Sequence, residues 1–222
     1  NVSEIKWSPI HSLTFGSTEG TPVNISSVMV SGGTIELKWL PSSVTKCSVT
    51  FFRLHGTIDT ECLPQHLAAL DICSNALTGS FDMNGLPKSL ETLGIERNTF
   101  EGSLDLRSLP STLTILNASA NRFSGSLDLR NLPDSLTELY LHENAFEGTI
   151  NLEKLPSELS TLMLQKNSLG QLNLQVGVRK AQFRAFDIDW NRFGSVVDIN
   201  GATIQERRKG LEPSIFDPKF QT

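Results

Sequence analysis

One phrase returns through most of this chain every 23 residues, and that period decides what the chain can fold into. Its asparagine stands at Asn75, Asn98, Asn121, Asn144, Asn167 and Asn191, in steps of 23, 23, 23, 23 and 24. Around each asparagine the same columns recur. Eight residues before it lie Leu67, Leu90, Leu113, Leu136, Leu159 and Phe183; five before it lie Leu70, Leu93, Leu116, Leu139, Leu162 and Phe186. Three before it stand Ile72, Ile95, Ala118, Leu141, Leu164 and Ile188. The last two columns are two residues apart, which is the strand period, so both point inward from a short strand. Two residues after the asparagine comes Leu77, Phe100, Phe123, Phe146, Leu169 or Phe193, an aromatic-rich spine. Four after it comes Gly79, Gly102, Gly125 or Gly148, the signature of a turn that excludes Cβ.

Leu-Pro closes each unit at 63–64, 86–87, 109–110, 132–133 and 155–156. Proline there argues against a full outer helix and for extended chain or a short 3-10 turn. The neutral asparagine column reads as a buried ladder, whose amides satisfy backbone groups of their own and the adjacent coil. One coil cannot bury its apolar face alone, so the coils must stack. The phrase runs backwards imperfectly, with Phe52 where an asparagine is due. About eight units are expected between residues 22 and 202. Residues 1–21 read as an N-terminal cap and residues 203–222 as a polar C-terminal cap and tail.

The phrase LxxLxLxxNxFxGxLDLxxLPxx resembles the leucine-rich repeat family over about four-fifths of the chain. Its glycine and following Ile or Leu are similar to the plant-type subclass. Its Leu-Pro-x-x-Leu closure is similar to protist arrays such as those of kinetoplastids and diatoms. The resemblance implies a solenoid with a parallel concave sheet, mostly β and with little helix, and it implies no particular function. The paired-cysteine caps frequent in extracellular members are missing.

Strand alternation puts the residues six, four and two before each asparagine on the concave surface. While the inward columns keep their type, these rows vary freely, as on a scaffold that carries a site. Their centre holds Tyr140, the only tyrosine, beside Asn117 and Met163. With Ile115, Glu138 and His142 these form a candidate partner-binding patch, extended by Asp187 and Asp189; tyrosine and methionine on a rigid face suit a hot spot. The alternative is an ordinary solvated strand face. Concave charges are mostly acidic, which steers a basic partner surface toward them.

Several signals look chemical without being so. Asp187-Ile-Asp189-Trp-Asn191 begins like a calcium loop, but Arg192 stands where glycine is needed. A second acidic column, Glu36, Asp59, Asp82, Asp105, Asp128, Asn151 and Asp198, reads as turn caps, with a cation-binding ladder as the alternative. Three cysteines give no disulfide framework. Cys47 takes a core position, and a Cys62–Cys73 bridge has no support from spacing. No His/Cys set has zinc geometry, and no catalytic set is brought together, so the chain reads as a non-enzyme without cofactor or metal.

The net charge of −5 excludes a strongly basic nucleic-acid binder. Nucleic acid enters only as part of a larger complex, through basic C-terminal residues such as Arg184, Arg192 and Arg207–Lys209. No apolar run approaches the roughly 18 residues of a membrane span. The chain begins at Asn1 and reads as processed or partial, leaving a cell-surface and an intracellular placement both open. Sequons at Asn1, Asn24 and Asn117 are candidate glycosylation positions, about as many as chance gives. The function that fits is a protein-recognition or scaffold module using the concave face. The alternative is a secreted or cell-surface recognition or adhesion protein taking a ligand or glycan.

Overall fold

The structure is a computed structural model of a single chain. It describes residues 32–177 and 183–204 in full, and the backbone of three strands before them. Those three are β1 (Val2–Ser8), β2 (His11–Ser17) and β3 (Val23–Ile25). The repeats supply β4 (Lys46–Val49), β5 (His55–Gly56), β6 (Ala69–Asp71), β7 (Ala76–Gly79), β8 (Thr92–Gly94) and β9 (Thr99–Gly102). They continue as β10 (Ile115–Asn117), β11 (Arg122–Gly125), β12 (Glu138–Tyr140), β13 (Ala145–Gly148), β14 (Thr161–Met163) and β15 (Ser168–Leu169). Last come β16 (Gln171–Val176), β17 (Ala185–Asp187) and β18 (Phe193–Asp198).

Three sheets wrap one leucine-filled core, the smallest being the parallel pair β16–β18. The ten-stranded sheet runs β17-β14-β12-β10-β8-β6-β4-β1-β2-β3, and a six-stranded sheet runs β15-β13-β11-β9-β7-β5. The first is parallel from β17 to β1, so β1 adds to the concave face like one more coil; β2 and β3 then finish that end antiparallel. The six-stranded sheet contains fewer members than the eight units expected: the last coils pair separately as β16 and β18, Thr34 joins His55 only by an isolated bridge, and β3 pairs antiparallel in the larger sheet.

The columns explain the elements. Leu70, Leu93, Leu116, Leu139 and Leu162 are wholly buried and in register from strand to strand. Below the second sheet, Phe100, Phe123 and Phe146 stack with centroids 6.2 and 6.3 Å apart. The second strands end at glycines with φ of +80° to +102°, a conformation that penalises any Cβ; at Gly79 a Cβ would also lie 2.9 Å from Thr57 Cγ2. Leu-Pro is preceded by 3-10 turns at Leu37–Trp39, Thr60–Cys62 and Leu106–Ser108. It is followed by turns in which each proline carbonyl accepts the N–H three residues on, as in Leu113 to Pro110 at 3.0 Å. The acidic column caps these turns: Asp59, Asp82, Asp105, Asp128, Asn151 and Asp198 each accept the backbone N–H two residues later. Glu36 makes no such bond and pairs with Lys38 instead. Arg107 and Arg130 bond Asp105 and Asp128; this holds the Asp105 carboxyl down to about 2 and Asp128 lower still.

The asparagine ladder joins the coils. In Asn121, Nδ2 donates to the carbonyls of Ile95, Ala118 and Ser119, and Oδ1 accepts from Phe100 N at 3.1 Å. Asn75, Asn98, Asn144 and Asn167 repeat the pattern. Each is preceded by a residue with φ of +51° to +58°: Ser74, Arg97, Ala120, Glu143 and Lys166. The expectation at Asn191 is corrected. It is exposed within the 3-10 turn Trp190–Arg192. Trp190 packs edge-on against Phe186 at 5.7 Å and gives its indole N–H to Asp187. That packing replaces the left-handed turn an asparagine needs in front of it. Asp189 closes the ladder instead, its carboxylate accepting the Lys166 and Asn167 amides at 2.8 and 2.9 Å.

Candidate functional site

Register fixes the concave rows. Ile115, Glu138, Thr161 and Ala185 stand side by side, and so do Asn117, Tyr140, Met163 and Asp187. The structure thus brings Ile115, Asn117, Glu138, Tyr140 and Met163 onto three adjacent strands, with His142 two residues beyond Tyr140. What the alternation did not reveal is how little of this patch meets solvent. Asn117, His142 and Tyr140 are 1%, 2% and 3% exposed, whereas Ile115, Glu138, Met163, Asp187 and Asp189 are partly open. The Tyr140 hydroxyl donates to Glu138 Oε2 at 2.7 Å, while Arg184 donates to Glu138 Oε1 at 3.0 Å. Burial, and then the bond to Glu138, push the Tyr140 phenol up. Tyr140 is therefore a buried, bonded group rather than the open anchor expected of a hot spot.

Asn117 Oδ1 accepts both the backbone N–H and the hydroxyl of Ser119, the third residue of its own sequon. At 1% exposure it leaves no room for a glycan. Asn24 lies in β3, whose backbone alone is described, and Asn1 lies outside the described residues. So do Arg207, Arg208 and Lys209, while Arg184 and Arg192 are exposed. Asp187 and Asp189 do not form a free carboxylate pair: the first accepts the Trp190 indole and the second the Lys166 and Asn167 amides. No helix among the described residues is long and apolar enough to cross a membrane.

A grouping absent from the sequence reading lies at the other end of the face. Asp71, Cys73 and Glu96 are all buried, and their ligand atoms lie within 4.8 Å of one another. Among the described residues it is the one set spaced to hold a metal ion. It joins the middle row of one coil to the inner row of that coil and the next, so only the register exposes it. The three cysteines are free thiols, so Cys62 and Cys73 are not bridged. Cys47 is in the core, where burial pushes its thiol up to about 12. Cys62 is exposed, its thiol donating to Asp59.

Burial also pushes the Asp71 carboxyl up to about 6, although Oδ1 accepts the Cys73 N–H at 3.0 Å. The folded-state value lies above the ordinary value of 3.8, so folding takes up a proton between these limits. The stability this group contributes is present at low pH and is lost as pH rises through about 6. Asn117 makes the same bond two coils away as an amide, to Ser119 N. Asp71→Asn is therefore expected to stabilise the chain at pH 7.5 by about 2 kcal/mol and to do almost nothing at pH 4. Urea unfolding at the two pH values measures this; destabilisation at pH 7.5 would contradict it.

No protein-family model matches the chain, and no curated protein sequence matches it. Solved structures do. The leucine-rich-repeat ectodomain of the receptor kinase SOBIR1 from Arabidopsis thaliana aligns with 55% of this chain and 70% of its own, at 30% identity and a TM-score of 0.50. The Arabidopsis receptor kinase HAESA, solved with the peptide hormone IDA and the co-receptor SERK1, aligns with 73% of this chain at 23% identity and a TM-score of 0.55. A TDR receptor aligns with 75% of this chain at 23% identity and a TM-score of 0.55. This chain spans only 32% and 29% of the length of the last two. These likenesses agree with the fold of the molecule.

Proposed function

Because this chain is a leucine-rich-repeat solenoid, we propose that it is a non-catalytic recognition module taking a protein or peptide partner on its concave face. One observation carries the reading. The parallel register holds rows of changing chemistry on a backbone whose inward columns hardly change. A scaffold of that kind sets geometry in the core and specificity on the surface. The contact zone sits on the C-terminal half, where Ile115, Glu138, Met163, Gln165 and Asp187 are partly open. Met163 supplies an adaptable apolar contact, and Glu138 and Asp187 favour a partner with basic groups. The 30% identity to a receptor-kinase ectodomain favours the cell-surface form of this reading.

The test is affinity capture with three proteins: wild type, Met163→Arg/Gln165→Arg, and Leu172→Arg. Leu172 is 81% exposed on the flank and serves as the control. The partner held by wild type and by Leu172→Arg should bind the double variant at least about 10-fold more weakly. Equal binding by all three folded proteins would move the site off the concave face.

A further inference from the structure

A second charged surface lies on the corner where the concave sheet turns into the six-stranded sheet. Backbone register fixes it. The N–H of Phe51 donates to Cys73 O, that of Ser74 to Glu96 O and that of Arg97 to Ser119 O, so Phe51, Ser74, Arg97 and Ala120 stand in one row across successive coils. Arg53 and Arg122 follow two residues after Phe51 and Ala120, on the other side of the ladder position. Phe51, Arg53, Arg97 and Arg122 are all exposed, Phe51 by 59%. The side chains of these three arginines make no hydrogen bond or ion pair with any described residue, whereas Arg107, Arg130 and Arg184 each hold a carboxylate. Glu101 stands opposite Arg122 in register without pairing with it, and the two rows carry no carboxylate before Glu143. Phe51 is held at φ +65°, a left-handed conformation unfavourable for a bulky side chain. The core does not need its ring: Phe52 and Leu54 supply the burial, and Asn75 Oδ1 fixes the turn by accepting both of their amides. A strained aromatic on solvent is a feature of contact sites rather than of packing.

We propose that this corner is a second interaction surface, and that it takes an acidic protein segment carrying an apolar side chain. Spacing and charge select that partner. With coils about 4.8 Å apart, Arg97 stands about 10 Å and Arg122 about 14 Å along the corner from Arg53, the length of about five extended residues. Between them the rows hold small residues such as Ser74 and Ala120, which leave room for a chain to lie across the coils. Unpaired guanidinium groups take carboxylates in two-pronged hydrogen bonds, and Phe51 offers the apolar contact at one end. A nucleic acid fits less well. The chain as a whole carries a net charge of −5, so a long polyanion meets repulsion beyond these three arginines, whereas a short acidic segment engages only the corner. The surface lies outside the concave rows and is opposite in sign to the contact zone around Glu138 and Asp187, so it stands or falls apart from the recognition reading.

Selection from a random-peptide display library on the full chain tests it, with the affinities of the selected peptides measured by fluorescence anisotropy. One class of binders should be rich in Asp and Glu and carry an aromatic or aliphatic residue. Those peptides should bind Arg53→Glu/Arg97→Glu at least about 10-fold more weakly and Met163→Arg/Gln165→Arg as tightly as wild type. Glutamate already stands at the Arg97 position of a later coil, as Glu143 with φ +56°, so the variant keeps the turn. Phe51→Gly should weaken the same peptides about 3-fold or more while unfolding no earlier than wild type, because glycine relieves the left-handed φ. A loss of binding with stability kept separates a contact from a structural role. The proposal is overturned if no acidic class is selected, or if acidic peptides hold Arg53→Glu/Arg97→Glu as tightly as wild type. A single-stranded oligonucleotide that binds more tightly than the acidic peptides at the same salt would overturn the choice of partner.

Discussion

Replacing Asn121 by alanine is expected to lower the unfolding free energy by about 3–5 kcal/mol. The side chain is 9% exposed and makes four bonds: Nδ2 donates to three carbonyls in two coils, and Oδ1 accepts the Phe100 amide. Alanine leaves those backbone groups buried without a partner, and each such loss costs about 1 kcal/mol or more. Asn121→Asp should be no better. A carboxylate can still accept from Phe100 N, but it turns a charge toward three carbonyl oxygens. Position adds to the effect. A solenoid is held by contacts between nearest neighbours, and Asn121 joins its middle coils. The urea transition should therefore broaden as well as shift. A loss below about 1 kcal/mol would mean that the ladder decorates the stack and does not hold it.

Phe123→Ala should cost a similar amount, about 3–5 kcal/mol. Its ring is completely buried between Phe100 and Phe146, nearly parallel to both at 13° and 9°. Truncation opens a cavity under the second sheet that neither neighbour can fill, because both are fixed to their own coils. Phe123→Leu should cost only about 1–1.5 kcal/mol, since Leu77 and Leu169 hold the same column elsewhere in the stack. Thermal and urea unfolding of the two variants separate lost packing from lost ring stacking. Equal losses for alanine and leucine would assign the effect to the stack of rings alone.

The repeat made most of this architecture legible. A period of 23 with two inward columns two residues apart specifies short parallel strands, and the asparagine column follows from the need to satisfy backbone groups between coils. Three things did not follow. The left-handed turn before each asparagine is taken by Ser74, Arg97, Ala120, Glu143 and Lys166, so no glycine marks it. Asn191 keeps its place in the count, but Trp190 beside it packs on Phe186 and removes that turn, and Asp189 takes over the bonds. The burial of Tyr140 was not legible at all. Alternation says which way a side chain points from a strand and nothing about what lies over it.

The Asp71–Cys73–Glu96 grouping escaped for a related reason. Each residue alone sits in an unremarkable surface row, and only the pairing of β6 with β8 brings them together. The candidate face divides into buried side chains, Asp71, Asn117, Tyr140 and His142 among them, and partly open ones around Met163.

Hydroxyl-radical footprinting with and without the captured partner tests the central claim most directly. Met163, on the open part of the concave face, is an oxidisable side chain at the proposed contact, and Leu172 reports the flank. Partner binding should cut Met163 oxidation several-fold and leave Leu172 unchanged. Protection of Leu172 with Met163 unaffected would place recognition on the flank and contradict the account.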